Sequence, residues 1–146
     1  MSKFFVKGGH YLVLGASTNP AKFGNIVLKW YVRHGLPVTP INPASDKVEN
    51  LQASTSIIEF LNAKGNENLD VSISVIVPPA IALKSFQEVE NAGLSDRIRA
   101  IWFQPGAFDS KVVEYVKQLG ITNESLIADG ECILVTGATR QNEAYI

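Results

Sequence analysis

The residues best suited to chemistry here are small and polar rather than reactive. At Gly15-Ala16-Ser17-Thr18-Asn19-Pro20 a short apolar run gives way to a polar loop, with Lys22 close behind. Gly15 permits a tight turn directly after a strand. Ala16 and Ser17 are small enough to leave backbone N–H groups open to an oxyanion, and Ser17 adds a hydroxyl. A helix beginning after this loop turns its positive end to the same place, which is the chemistry of phosphate binding. A plain strand-to-helix connection would read the same way, so the loop alone does not choose. It is not G-x-G-x-x-G, because Ser17 stands where the second glycine would be. Three further turns share its character: Asn42-Pro43, Pro78-Pro79-Ala80 and Gln104-Pro105-Gly106. Pro40-Ile41-Asn42-Pro43 carries no acid where an NAD site takes the ribose hydroxyls, which disfavours NAD.

No nucleophile, base and acid stand together. Asp129 and Glu131 are acidic, but nothing positions a partner for them. Cys132 follows the last apolar run near its carboxyl end; a free cysteine is more often a small buried hydrophobe than a reactive thiol. His34 falls at a helix C-terminus, where a dipole-favoured surface histidine belongs, and His10 opens a strand. Trp30, Tyr31 and Trp102 fit core positions, while Phe103 beside Trp102 is within reach of a ligand. Lys22 and Lys47 read equally well as solvated charges and as ligand contacts.

These turns need a scaffold, and the apolar periodicity supplies one. Tyr11 to Leu14, Val38 to Ile41, Val71 to Val77, Ala100 to Phe103 and Leu126 to Ala128 read as strands. Between them, helical spacing runs from Phe23 to His34, from Ser56 to near Gly65, from Ala80 to Ala92 and from Asp109 to Leu119. Ser56 with Glu59 is a capping-box signal, Asp109 an N-cap, and Gly35, Gly93 and Gly120 are helix stops. Ser45 to Ala53 reads as a loop with at most an edge strand, and the residues beyond Val135 as a polar, mobile tail. Alternation of this kind predicts an α/β fold: a doubly wound, mainly parallel sheet with helices on both faces. One domain is expected over 1–146, its core about 10–135 and its tail 136–146.

The chain has 146 residues, 46% hydrophobic and 18% charged, with 13 Lys and Arg against 14 Asp and Glu for a net charge of −1. The mean hydropathy is +0.09. That length and composition support one real core. The charge balance argues against a nucleic-acid surface, and no apolar run nears the roughly 20 residues of a membrane span. Phe4-Phe5-Val6 is too short for a secretory leader. One cysteine and two scattered histidines exclude an internal disulfide and a cysteine- or histidine-based metal cluster. The expectation is a cytoplasmic or nuclear protein.

The run G-A-S-x-N-P-x-K-x-G at Gly15 to Gly24, His34-Gly35, and P-I-N-P at Pro40 to Pro43 together resemble the small stand-alone coenzyme A-binding proteins. Their fold is similar to the N-terminal CoA-binding domain of the succinyl-CoA synthetase alpha subunit. The likeness continues through Val77-Pro78-Pro79, Trp102 to Gly106 and Asp129-Gly130-Glu131-Cys132, and covers about residues 10–135. It implies a Rossmann-like CoA-binding fold, with Gly15, Ala16 and Ser17 on the CoA pyrophosphate and Lys22 near the phosphates. Gly24 and Asn25 would give the helix start its close approach. Asn42 and Pro43 would border the adenosine. Val77, Pro78 and Pro79 would line the adenine or the start of the pantetheine arm, and Gln104, Pro105 and Gly106 the arm further on. The relatives usually carry a basic residue directly after the N-P pair and a glycine a few residues later. Here Ala44 and Ser45 follow, then Val48-Glu49-Asn50, so Lys47 is the nearest candidate for the 3′-phosphate. CoA, dephospho-CoA and another adenine nucleotide all stay open.

The resemblance does not transfer ligase chemistry, because the synthetase's phosphohistidine lies in a second domain that this chain lacks. The leading reading is a non-catalytic protein for CoA or acyl-CoA, acting as carrier, sensor or regulatory module, with a homodimer left open. The alternatives are an NAD(P)-binding enzyme or redox sensor, and an interaction module that has lost its ligand. The expected partner is one small phosphate-rich nucleotide, with no nucleic acid and no membrane.

Overall fold

The computed structural model of the chain describes residues 3–145. Five parallel strands form the central sheet: β1 (His10–Leu14), β2 (Val38–Ile41), β5 (Val71–Val75), β6 (Ile98–Phe103) and β7 (Leu126–Ile127). Their order is β2-β1-β5-β6-β7. The chain therefore moves to one side of β1 first and to the other side afterwards, which makes the β1/β5 boundary the switch point of a doubly wound sheet.

Alternation along the strands sorts the side chains into two layers. Leu12, Leu14, Ile73, Val75, Ile101 and Phe103 meet the helices α2 (Ile57–Asn62), α3 (Pro79–Asn91) and α4 (Ser110–Gln118). Tyr11, Val13, Ala100 and Trp102 meet α1 (Phe23–Arg33) and α5 (Ile133–Tyr145) on the opposite face. β5 is buried on both faces although it carries two serines. Both hydroxyls are satisfied: Ser72 donates to Phe4 O at 2.6 Å, and Ser74 shares a 2.6 Å hydrogen bond with the Tyr31 hydroxyl.

The helix signals work as local chemistry requires. The Ser56 hydroxyl accepts from Glu59 N at 3.1 Å and the Asp109 carboxylate from Val112 N at 2.9 Å. Pro79, which has no N–H to lose, is the first residue of α3. Pro40 is tolerated because β2 is an edge strand of the sheet.

Four expectations need correction. The strand read to Val77 ends at Val75, and Ile76 to Pro78 form an extended turn. The supposed loop at 45–53 holds a two-stranded antiparallel hairpin, β3 (Lys47–Val48) and β4 (Leu51–Gln52). Glu49 and Asn50 at its tip both have positive φ, 50° and 65°, the conformation of a tight hairpin turn whose twist suits the flanking strands. The supposed mobile tail is most of α5; Ile133 is fully buried and Gly137 lets the helix close on the Trp30 ring. Phe4 and Phe5, read only as too short for a leader, are buried and pack edge-on against Trp102.

Candidate functional site

The carboxyl ends of β1 and β5 meet at the switch point, and the loops of interest gather there. Gly15 has φ +106°, and a Cβ on it would stand 3.0 Å from both Val77 N and Val77 Cγ1. Only a residue without a side chain lets β1 turn this close to the end of β5. Gly24 is more constrained still, since a Cβ there would lie 2.0 Å from Gly15 O. The first turn of α1 thus sits directly on the loop. Lys22 is its N-cap with extended backbone; no side-chain hydrogen bond caps the helix and no acid occupies the first turn. The positive end of α1 is left available beside the loop.

Two asparagines hold this loop from beneath. Asn42 Nδ2 donates to Ala16 O at 3.1 Å, while its Oδ1 accepts from Ala44 N and Ser45 N at 2.8 and 2.9 Å. Asn25, fully buried, donates through Nδ2 to Ser17 O at 2.9 Å and to Glu49 Oε2 at 2.9 Å. Lys29 Nζ lies 3.9 Å from the other Glu49 oxygen. In a trans peptide the C=O and the following N–H point in opposite directions. Pinning the carbonyls of Ala16 and Ser17 therefore turns the N–H groups of Ser17 and Thr18 to the other side of the loop. The Ser17 hydroxyl accepts from Asn19 N at 3.1 Å, and Asn19 Oδ1 from Ala21 N at 2.9 Å, which fixes the loop's exit. The arrangement is a braced ring of outward-facing amides, suited to an oxyanion.

Two clefts flank the loop. The first, about 360 Å³, includes Gly15, Ala16, Pro43 and Val77 in its lining. It is completed by residues that sequence reasoning missed: Thr55, Ser56 and Ile58 at the start of α2, and Ile81, Lys84 and Glu88 on α3. The second, about 480 Å³, is lined by Phe23, Ile76, Pro78, Pro105, Gly106 and Cys132. Successive side chains of the extended Ile76-Val77-Pro78 segment go to opposite sides, Val77 into the first cleft and its neighbours into the second. Missing Ile81, Lys84 and Glu88 has a simple cause. They recur at helical spacing on a helix whose rotation about its axis the local pattern does not state.

The remaining expected site residues lie outside both clefts. Ser17 and Asn42 border the first loop, and Gly24 and Asn25 sit beneath it. Pro79 opens α3. Lys22 and Lys47 line neither cleft; Lys84 is the cation among the described residues of the first. Gln104 is fully buried, with Oε1 accepting from Ile133 N at 2.9 Å, so it caps the start of α5. Its Nε2 has no hydrogen-bond partner, and neither has the buried Oδ1 of Asn25. Phe103, read as a residue within reach of a ligand, is instead buried between Phe86 and Phe108.

Of the acidic candidates, Asp129 accepts from Glu131 N at 3.1 Å, and Glu131 is paired within the fold. Glu131 accepts from Nε and Nη2 of Arg140 at 2.9 and 2.6 Å, and that guanidinium holds its carboxyl below the usual carboxylate range. Arg140 in turn lies 5.6 Å from the Trp102 ring centroid, and Trp102 Nε1 donates to Glu131 O at 2.8 Å. His10 stacks on Phe60 and meets Thr39 Oγ1 at 2.9 Å; it starts β1, at the sheet edge opposite the clefts. His34 stacks on Trp30 at the end of α1, with Nδ1 2.7 Å from Trp30 O. Cys132 is half-buried in the second cleft. No helix among the described residues is long and apolar enough to cross a membrane.

Comparison with known proteins agrees with this architecture. A conserved hypothetical protein from Pyrococcus furiosus is 36% identical and superposes with a TM-score of 0.68, over 87% of this chain and 97% of that one. A protein from Thermus thermophilus, 22% identical, covers 90% of this chain and 89% of its own with a TM-score of 0.70. A hypothetical protein from Pyrococcus horikoshii, also 22% identical, gives 0.67 over 92% and 80%. The latter two show the fold alone. No curated protein matches. The model of the CoA binding domain matches residues 9–138. With that match spanning nearly the whole chain, on a Rossmann-like sheet whose switch point carries a braced loop between two clefts, the protein belongs to the CoA-binding domain family.

Proposed function

We propose that the protein is a non-catalytic, single-domain CoA-binding module that works as a carrier, sensor or regulatory subunit. The observation that carries this reading is the loop Gly15 to Ser17, its carbonyls pinned by Asn25 and Asn42, between one cleft on each side of the Val77 turn. CoA has three parts to place, and the site has three. The pyrophosphate lies on the amides of the loop and the first turn of α1. The adenosine occupies the 360 Å³ cleft, where Lys84 rather than Lys47 faces the 3′-phosphate. The pantetheine arm passes over the Val77 turn and enters the second cleft. The absence of a catalytic role is supported by Glu131, whose carboxylate is committed to Arg140. A free cysteine suits a reducing compartment, the cytoplasm or the nucleus.

Thermal unfolding in the presence of CoA, dephospho-CoA and NAD tests the reading. CoA at about 100 times its dissociation constant is expected to stabilise the fold by roughly 2.7 kcal/mol. Ser17→Asp, which puts a carboxylate in the loop, is expected to abolish that shift. A shift with NAD alone, or none with any CoA species, overturns the proposal.

A further inference from the structure

We infer that the second cleft is an acyl site, and that the physiological ligand carries an uncharged, apolar acyl group on the CoA sulfur. The inference rests on the CoA reading of the loop and the first cleft, and adds the class of ligand. Lys84 and Glu88 both line the first cleft, and Lys84 gives it a cation for a phosphate. The second is lined by Phe23, Ile76, Pro78, Pro105, Gly106 and Cys132, none of them charged. The charged residues next along the chain do not line it: Lys22 precedes Phe23 but belongs to neither cleft. Glu131 precedes Cys132, but its carboxylate is held by Arg140 at 2.6 Å, and Arg140 lies over the Trp102 ring. An acyl group ending in a carboxylate would find no cation at the wall and would lose water on entering. A hydrocarbon chain would lose nothing.

The second cleft, about 480 Å³, has room beyond the slim end of a pantetheine arm. The turn at Val77 separates the clefts: Val77 faces one, Ile76 and Pro78 the other. An arm that crosses there brings its sulfur, and whatever the sulfur carries, against Pro105 and Cys132.

The test is calorimetric titration of the full chain with CoA, acetyl-CoA, butyryl-CoA and succinyl-CoA. Each buried methylene strengthens binding about fourfold, so butyryl-CoA is expected to bind roughly 15-fold tighter than acetyl-CoA. Succinyl-CoA is expected to bind at least about tenfold more weakly than butyryl-CoA. Cys132, the chain's sole cysteine, reports the location: butyryl-CoA is expected to slow its alkylation by iodoacetamide more than CoA does. Cys132→Lys places a cation in the wall and is expected to reverse the butyryl-to-succinyl preference. The exposed Pro105→Lys does the same without touching a half-buried position. Tight CoA binding with equal affinity for all four ligands and unprotected Cys132 overturns the acyl site and leaves the CoA reading standing. Failure of every CoA species to bind overturns both.

Discussion

Asn25 and Asn42 do the least visible and most consequential work in the site. Each spends its amide on a backbone carbonyl of the loop, at 2.9 and 3.1 Å, so the geometry offered to an anion is set by side chains beneath it. Their place in the motif set Asn25 at the helix start and Asn42 beside the adenosine; their hydrogen bonds tie both to the loop. Lys47 shows the reverse. Its type and nearness to the Asn42-Pro43 turn recommended it, but Lys84, 37 positions further along, stands in the cleft. A pair of variants separates the two lysines. Lys84→Ala is expected to weaken CoA about fivefold, the upper range for an exposed ion pair, and to leave dephospho-CoA unchanged. Lys47→Ala is expected to change neither dissociation constant. Equal losses for both ligands would remove Lys84 from the 3′-phosphate.

Among the elements, α5 departs furthest from what its residues advertise. Its sequence is polar and its glycine, Gly137, argues against a helix. The segment is helical because Gly137 leaves room for an indole: a Cβ there would come within 2.5 Å of the Trp30 ring. Gln104 completes the docking from the sheet side by accepting the Ile133 N–H. Gly137→Leu is therefore expected to destabilise the fold by about 1–3 kcal/mol despite leucine's better helix propensity, measured by urea unfolding. A more stable protein would mean that the α1–α5 contact contributes nothing. The hairpin β3–β4 has a similar logic. Its strands are two residues each, too short to stand alone, and Glu49 at its tip is tied to Asn25 and Lys29 of α1.

For the whole molecule, the sheet separates function from stability. The clefts occupy the carboxyl edge, and His10 sits at the amino edge, stacked on Phe60. Burial, with a smaller contribution from the Arg99 charge, lowers the His10 pKa below its ordinary 6.5. Below pH 6.5 the unfolded chain thus binds a proton that the folded chain resists. Stability is complete above that pH and declines as the pH falls toward the lowered value. Urea midpoints are expected to drop between pH 7.5 and 5.5, and His10→Gln is expected to flatten that slope. Unaltered pH dependence in the variant would assign the effect to other groups. CoA affinity is expected to stay constant in the variant, because His10 is at the far end of β1 from the loop.

What the amino-acid sequence determined by itself is whatever depends on near neighbours. Strand and helix periods, the Ser56 and Asp109 caps and the tight turn at Gly15 are all decided within a few residues. With the order of elements they were enough for a parallel, doubly wound sheet and for the loops at its carboxyl edge. Tertiary structure alone decided what depends on distant partners. Asn25 finds Glu49 24 positions away, Gln104 finds Ile133 29 away, and α3 turns Lys84 rather than another face toward Thr55 and Ser56. Rotation of a helix about its axis and closure of long loops are set by packing across the sheet. No short stretch of chain contains that information, and so the motif marks the loops at the carboxyl edge while the fold chooses the residues that line the clefts beside them.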